Sequence, residues 1–158
     1  MLYDVIDSPI GALLLTGDGE ALSGLWMQDA GQPRTPGHDW RRDPAAFCPV
    51  AAQLEQYFAR ERTAFDLPLT MAGTDFQRRV WSALREIPYG QTTSYGALAD
   101  RLGQPGAARA VGLANGRNPI AVIVPCHRVI GADGSLTGFG GGLPRKRALL
   151  ELESLTLL

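Results

Sequence analysis

The residues best equipped for chemistry stand together in Ile123-Val124-Pro125-Cys126-His127-Arg128-Val129-Ile130. A thiol is a weak nucleophile and a thiolate a strong one, so chemistry at Cys126 needs a local reason for the proton to leave. His127 is a candidate base, acting through a hydrogen bond or a bridging water. Neighbouring side chains in an extended strand point to opposite faces. The pair can therefore cooperate only where the path bends, and Pro125, with its fixed φ and missing N–H, favours a bend. At a reference pKa of ~8.5, about 3% of a thiol is ionised at pH 7; a pKa of ~5 would raise that roughly 30-fold, or about 2 kcal/mol. Taken alone, the pair also fits a buried strand cysteine beside a surface histidine.

Other residues extend the candidate site. Glu153 falls on the edge of the apolar face set by Leu149 and Leu150 in the last helix, opened by Leu143-Pro144. A carboxylate buried there would need a partner, and His127 fits. Asn118 lies in the tight turn Gly116-Arg117-Asn118-Pro119, where its amide can bond nearby backbone. Ala107 to Asn115 reads as a short helix of small residues from which one long side chain, Arg109, projects, with Arg117 just beyond its end. Before it, Ser94 caps a helix carrying Tyr95, Leu98, Ala99 and Leu102, and Gly103-Gln104-Pro105-Gly106 makes the turn between the two. That pattern matches a helix-turn-helix, and small side chains allow close backbone approach to a partner. The stretch Thr137 to Gly142 is rich in glycine. It lacks the Gly-Lys-Ser/Thr ending of a phosphate loop and would instead present N–H groups to a flat ligand.

The elements that must position these residues fall into two parts. Residues 2–27 read as a β-meander: Leu2 to Ile6, a turn at Ser8-Pro9-Ile10-Gly11, Ala12 to Thr16, a hairpin at Gly17-Asp18-Gly19, and Ala21 to Met27. Gln28 to Trp40 reads as a loop. Asp43-Pro44 marks a helix start, with the helix running to about Arg60 and Pro49 kinking or restarting it. Phe65, Leu67 and Leu69 alternate as a short strand. Met71-Ala72-Gly73 is the expected boundary, giving domains 1–71 and 72–158. Thr74 and Gln77 then form a capping box ahead of Phe76, Val80, Leu84 and Ile87 at helical spacing. Gly131 to Gly134 reads as a hairpin turn.

Composition sets the limits. The 158 residues are 45% apolar and 20% charged, ordinary for a globular protein. Net charge is −1, but residues 1–70 hold 5 Arg against 10 Asp/Glu, and residues 71–158 hold 10 Lys/Arg against 6. A phosphate-binding surface belongs to the second half. No apolar run reaches membrane-spanning length, and the N-terminus lacks a secretory pattern, so a cytoplasmic location with no membrane association is expected. There, Cys48 and Cys126 should be free thiols.

Pro125-Cys126-His127-Arg128-Val129, preceded by Asn118-Pro119 and by Ala107-Ala108-Arg109-Ala110-Val111-Gly112, resembles the O6-alkylguanine-DNA alkyltransferase family. The likeness covers about residues 73–153, and residues 1–71 fit its ribonuclease-H-like domain less distinctively. It implies an α+β fold: a small N-terminal sheet-and-helix domain, then a mostly helical C-terminal domain with a helix-turn-helix and an active-site loop. It implies single-turnover transfer of an alkyl group from O6 of guanine to Cys126, with O4 of thymine left open. Cys126, His127 and Glu153 would form the relay, and Tyr95 would turn the nucleotide and bond the guanine ring. The backbones of Val129 and Cys126 would receive the guanine amino group, the N–H of Gly140 would face the alkylated oxygen, and Asn118 would tie the recognition helix to the active-site turn. Arg109 would fill the stack, with Ala107 and Arg117 also at the DNA. Many relatives carry Ser and Tyr where this chain has Gly140 and Phe139. His38 and Cys48 lack adequate partners for a structural zinc, so no metal and no cofactor are expected. The implied partner is double-stranded DNA holding the lesion, bound in the minor groove with the base flipped, by a monomer. Two other readings compete: a thiol hydrolase with a Cys-His-Glu relay, and a non-catalytic helix-turn-helix lesion sensor.

Overall fold

The computed structural model describes residues 1–28, 34–136 and 142–155. Two compact units emerge. One holds Met1–Met71 together with Pro119–Ile123, and the other holds Ala72–Asn118 and Val124–Leu158.

The first unit is a sheet backed by a helix. Strands β1 (Leu2–Ile6), β2 (Leu13–Gly17) and β3 (Leu22–Met27) form the antiparallel meander, and β4 (Arg41–Arg42) pairs parallel with β1, giving the order β3-β2-β1-β4. The hairpin between β2 and β3 closes as its residues dictate: the Asp18 carboxylate accepts from the N–H groups of Glu20 and Ala21 at 2.8 and 2.9 Å. Leu13, Leu14, Leu15 and Leu25 are fully buried. Asp43 caps a short 3-10 turn, Pro44–Phe47, and α1 (Cys48–Phe58) restarts with Pro49 in its first turn, burying Val50, Leu54 and Tyr57.

Two local readings need correction. Phe65, Leu67 and Leu69 do not form a strand; Pro68 lacks the N–H a ladder needs, and only an isolated bridge joins Leu69 to Leu22. The two-residue β4 went unread because it has no alternation of its own. The expected loop at 28–40 is described only in part, since residues 29–33 lie outside the described residues.

The second unit begins with α2 (Asp75–Leu84), whose capping box is complete: Thr74 Oγ1 accepts from the Gln77 N–H, and Gln77 reaches back to the Thr74 N–H. Val80, Trp81, Ala83 and Leu84 are its buried face. Ser94 caps α3 (Tyr95–Arg101) by accepting from the Ala97 N–H at 3.0 Å. The turn to α4 (Ala108–Gly116) passes through Gly103 and Gly106 at φ +74° and +88°, a conformation that costs glycine nothing. Trp81 donates its indole N–H to the Ala114 carbonyl at 2.9 Å, fastening α4 to α2. After β5 (Thr93–Ser94) pairs parallel with β6 (Val129–Ile130), α5 (Leu143–Leu155) closes the unit. The Gly131–Gly134 turn forms, with the Gly134 N–H on the Gly131 carbonyl at 2.9 Å. The Gly131 N–H also bonds the Ser135 carbonyl at 2.8 Å, and the chain that would form a return arm from residue 137 lies outside the described residues. No helix among the described residues is long and apolar enough to cross a membrane.

Candidate active site

The chain between α4 and the nucleophile is a sequence of turns, not a strand. Pro119 and Ala121 bond Leu25 on β3, through Leu25 N–H to Pro119 O at 2.8 Å and Ala121 N–H to Leu25 O at 3.4 Å. Val122 then sits at φ +71°, and the Ile123 N–H reaches the Ala121 carbonyl at 2.8 Å. This is the strained form of the γ-turn, rare for a β-branched residue. Three residues on, Pro125 at φ −81°, ψ 65° centres the relaxed inverse γ-turn, closed by Cys126 N–H to Val124 O at 2.8 Å. The bend the sequence required at Pro125 is therefore present. Cys126, His127 and Arg128 continue as one 3-10 turn, all buried.

Behind them lies a buried polar network. Glu153, 1% exposed on α5, takes His127 Nε2 on Oε2 at 2.6 Å. Arg128 forks onto the same carboxylate, Nε to Oε1 at 2.8 Å and Nη2 to Oε2 at 3.1 Å, and gives its Nη1 to the Ile87 carbonyl at 2.7 Å. A bidentate guanidinium is what lets a carboxylate be buried at all. The N–H of Gly90 approaches Oε1 at 3.4 Å.

This geometry sets the tautomer of His127. Burial outweighs Glu153 and holds the imidazole pKa below its ordinary value, so the ring is neutral at pH 7. With Nε2–H donating to Glu153, Nδ1 carries the free lone pair, and it has no hydrogen-bond partner among the described residues. An oriented neutral imidazole with an open Nδ1 is a base.

Cys126 departs from expectation. Instead of a thiol held near 5, burial pushes it up to about 11, against the opposing pull of an Asn118 hydrogen bond and the Lys146 charge. The resting sulfur is protonated, and it must lose its proton as part of the reaction. Cys48, by contrast, is exposed, and both thiols are free.

Asn118 spans the end of α4 and the turn, donating Nδ2 to Val124 O at 2.8 Å. Tyr95 stands half-buried at the start of α3, with Lys146 Nζ 5.9 Å from its ring centre. Val129 is buried on β6, and its carbonyl accepts from Lys146 Nζ at 2.6 Å. Arg109 is exposed on α4, Arg117 is exposed at its C-cap, and Ala107 is its half-buried N-cap. Gly140 and Phe139 lie outside the described residues. Three participants were not foreseen: Arg128, Lys146 and Asn115. Lys146 and Asn115 carried a signal. Lys146 keeps helical step with Leu149 and Glu153, and Asn115 with Val111 and Ala114, so each is a polar residue inside an apolar stripe.

Residues 75–155 match the DNA-binding domain of 6-O-methylguanine DNA methyltransferase, and residues 1–71 match its ribonuclease-like domain. A methylated-DNA--protein-cysteine methyltransferase of Mycobacterium tuberculosis is 62% identical over 151 residues, 96% of this chain and 91% of the relative. The chain belongs to the 6-O-methylguanine DNA methyltransferase family. Another such methyltransferase, from Methanosarcina acetivorans, is 51% identical over 154 residues, 97% of this chain and 98% of the relative. The crystal structure of Mycobacterium tuberculosis OGT in complex with DNA superposes with a TM-score of 0.92 at 60% identity, covering 99% of this chain and 94% of that one. The buried Cys126-His127-Glu153 constellation thus sits in a methyltransferase whose α+β fold agrees with that of a relative solved on DNA.

Proposed function

We infer that this protein repairs DNA by direct reversal, moving a methyl or other alkyl group from O6 of guanine to Cys126 once per molecule. The observation that carries this reading is the neutral His127, aligned by Glu153, beside a cysteine in a family of cysteine-accepting methyltransferases. His127 Nδ1 takes the thiol proton, directly or through one water, as the sulfur attacks the alkyl carbon. A C–S bond forms, the C–O bond breaks, and its electron pair goes to guanine O6. The proton lost by sulfur returns to the guanine, which leaves neutral, and Tyr95 bonds the ring as charge develops. Because the resting thiol is protonated, ionisation of Cys126 is coupled to the arrival of the base, and its sulfur does not stand as a thiolate between reactions.

DNA binding uses the basic second half. The exposed face of α4 offers small residues for close approach in the minor groove, with Arg109 entering the space of the extruded nucleotide. Extrusion costs a few kcal/mol and is cheapest for a badly paired base, which favours the lesion. Asn118 couples α4 to the active-site turn, and the carbonyls of Cys126 and Val129 receive the guanine amino group.

A thioether is not cleaved by an imidazole–carboxylate pair, so uptake should stop at one group per chain. Titrating the protein with excess O6-methylguanine duplex, read by intact mass, should give a single methylene addition. Continued conversion of O6-methylguanine to guanine in the duplex beyond one equivalent would reject the reading. Arg109→Ala should slow repair of duplex far more than reaction with free O6-alkylguanine.

A further inference from the structure

Both carbonyls assigned to the guanine amino group are already engaged by a buried side chain. Lys146 Nζ bonds the Val129 carbonyl at 2.6 Å, and Asn115 Nδ2 bonds the Cys126 carbonyl at 3.3 Å. The Cys126 oxygen also accepts the Val129 N–H that ends the 3-10 turn, so the turn bond and the Asn115 contact together fix the direction in which it points, and the amino group would share it with them. Asn115 is 1% exposed. Its amide orientation is set by that contact, since a carbonyl needs the NH2 side. Its Oδ1 is then buried with no hydrogen-bond partner among the described residues.

An asparagine here does little for the fold. It has lower helix propensity than leucine, and its orphaned oxygen carries a desolvation penalty that an apolar side chain of similar shape would avoid. What it does supply is one hydrogen bond to the main chain of the nucleophile itself. We propose that Asn115 is a positioning residue that aims the Cys126 carbonyl at the 2-amino group of the flipped base, and so sets the preference for guanine over purines lacking that group. The proposal rests on the alkyl-transfer reading above and adds a determinant of selectivity to it.

The test compares two duplexes with the same methylated oxygen: one bearing O6-methylguanine, the other O6-methylhypoxanthine, which has no 2-amino group. Single-turnover rate constants are measured for the unaltered protein and for Asn115→Leu, with thermal unfolding alongside. One hydrogen bond is worth about 2- to 10-fold. The unaltered protein should prefer the guanine duplex. Asn115→Leu should shrink that preference by about that factor, chiefly by slowing the guanine reaction, while its midpoint of unfolding stays level or rises. Should the leucine variant not fold, Asn115→Met supports the same ratio measurement. An unchanged ratio, with both reactions slowed alike, overturns the assignment, as does an unaltered protein that reacts equally with both duplexes. Transfer from neither duplex by the unaltered protein overturns the alkyl-transfer reading itself.

Discussion

The two units bury very different things. Among the described residues, the sheet unit buries two polar side chains, Asp4 and Thr16, whereas the second unit buries six: Asn115, Asn118, His127, Arg128, Lys146 and Glu153. Asp4 is paired with an Arg42 whose side chain is 59% exposed, so water shares that contact. The six polar groups of the second unit converge on one sulfur and its neighbours, and two of them keep an unpaired atom, Asn115 Oδ1 and His127 Nδ1. A buried polar group costs stability unless it is bonded, and an ion costs more. The sheet unit satisfies the ordinary rule. The second unit departs from it where a proton has to move and where a base has to be read.

That contrast can be broken in several ways. The largest effect should come from Cys126→Ser, which abolishes transfer while DNA binding persists. In the unaltered protein the methyl group should appear only on the peptide carrying Cys126, and Cys48→Ser should transfer at the normal rate. A methylated Cys48 would remove the distinction between the two thiols.

Next comes Glu153→Gln, which leaves the Arg128 charge buried and unpaired. The expected loss is about 3–5 kcal/mol in urea unfolding, with transfer slowed as His127 loses its orientation. Asp4→Asn in the sheet unit, facing an exposed partner, should cost at most about 1 kcal/mol. Equal losses would mean that the two units handle charge alike.

The pH dependence of stability should show a plateau with both edges set in the second unit. His127 has a folded pKa depressed below its usual ~6.5, so its contribution is full above that value and is lost as pH falls. Cys126 is raised from 9.0 to about 11, so its contribution is full below pH 9 and is lost as pH rises towards 11, roughly 3 kcal/mol in all. Cys126→Ser should flatten the alkaline edge and leave the acid edge in place, as followed by unfolding midpoints across pH. The smallest effect is expected from Thr74→Ala, which removes a cap remote from the sulfur: about 1 kcal/mol of stability, with the transfer rate unchanged.

Local chemistry was legible in the sequence wherever a short stretch decides its own conformation. The Thr74–Gln77 capping box, the Ser94 cap, the Asp18 hairpin and the bend at Pro125 are fixed by residues within four positions of one another. Glu153 was legible as a carboxylate in need of a partner, because it stands in an apolar helical stripe. The motif around Cys126, with Asn118 and Arg109 at their spacings, pointed to the family.

Tertiary structure alone decided the rest. Arg128 finds Glu153 across 25 residues of chain and Ile87 across 41, and nothing local announces either contact. The positive φ of Val122 is held by its buried surroundings against its own steric preference. The sequence placed a candidate base beside the thiol, but the depth of burial keeps that thiol protonated. Ionisation is a balance between the cost of removing charge from water and the neighbours that offset it, and both are properties of the folded interior.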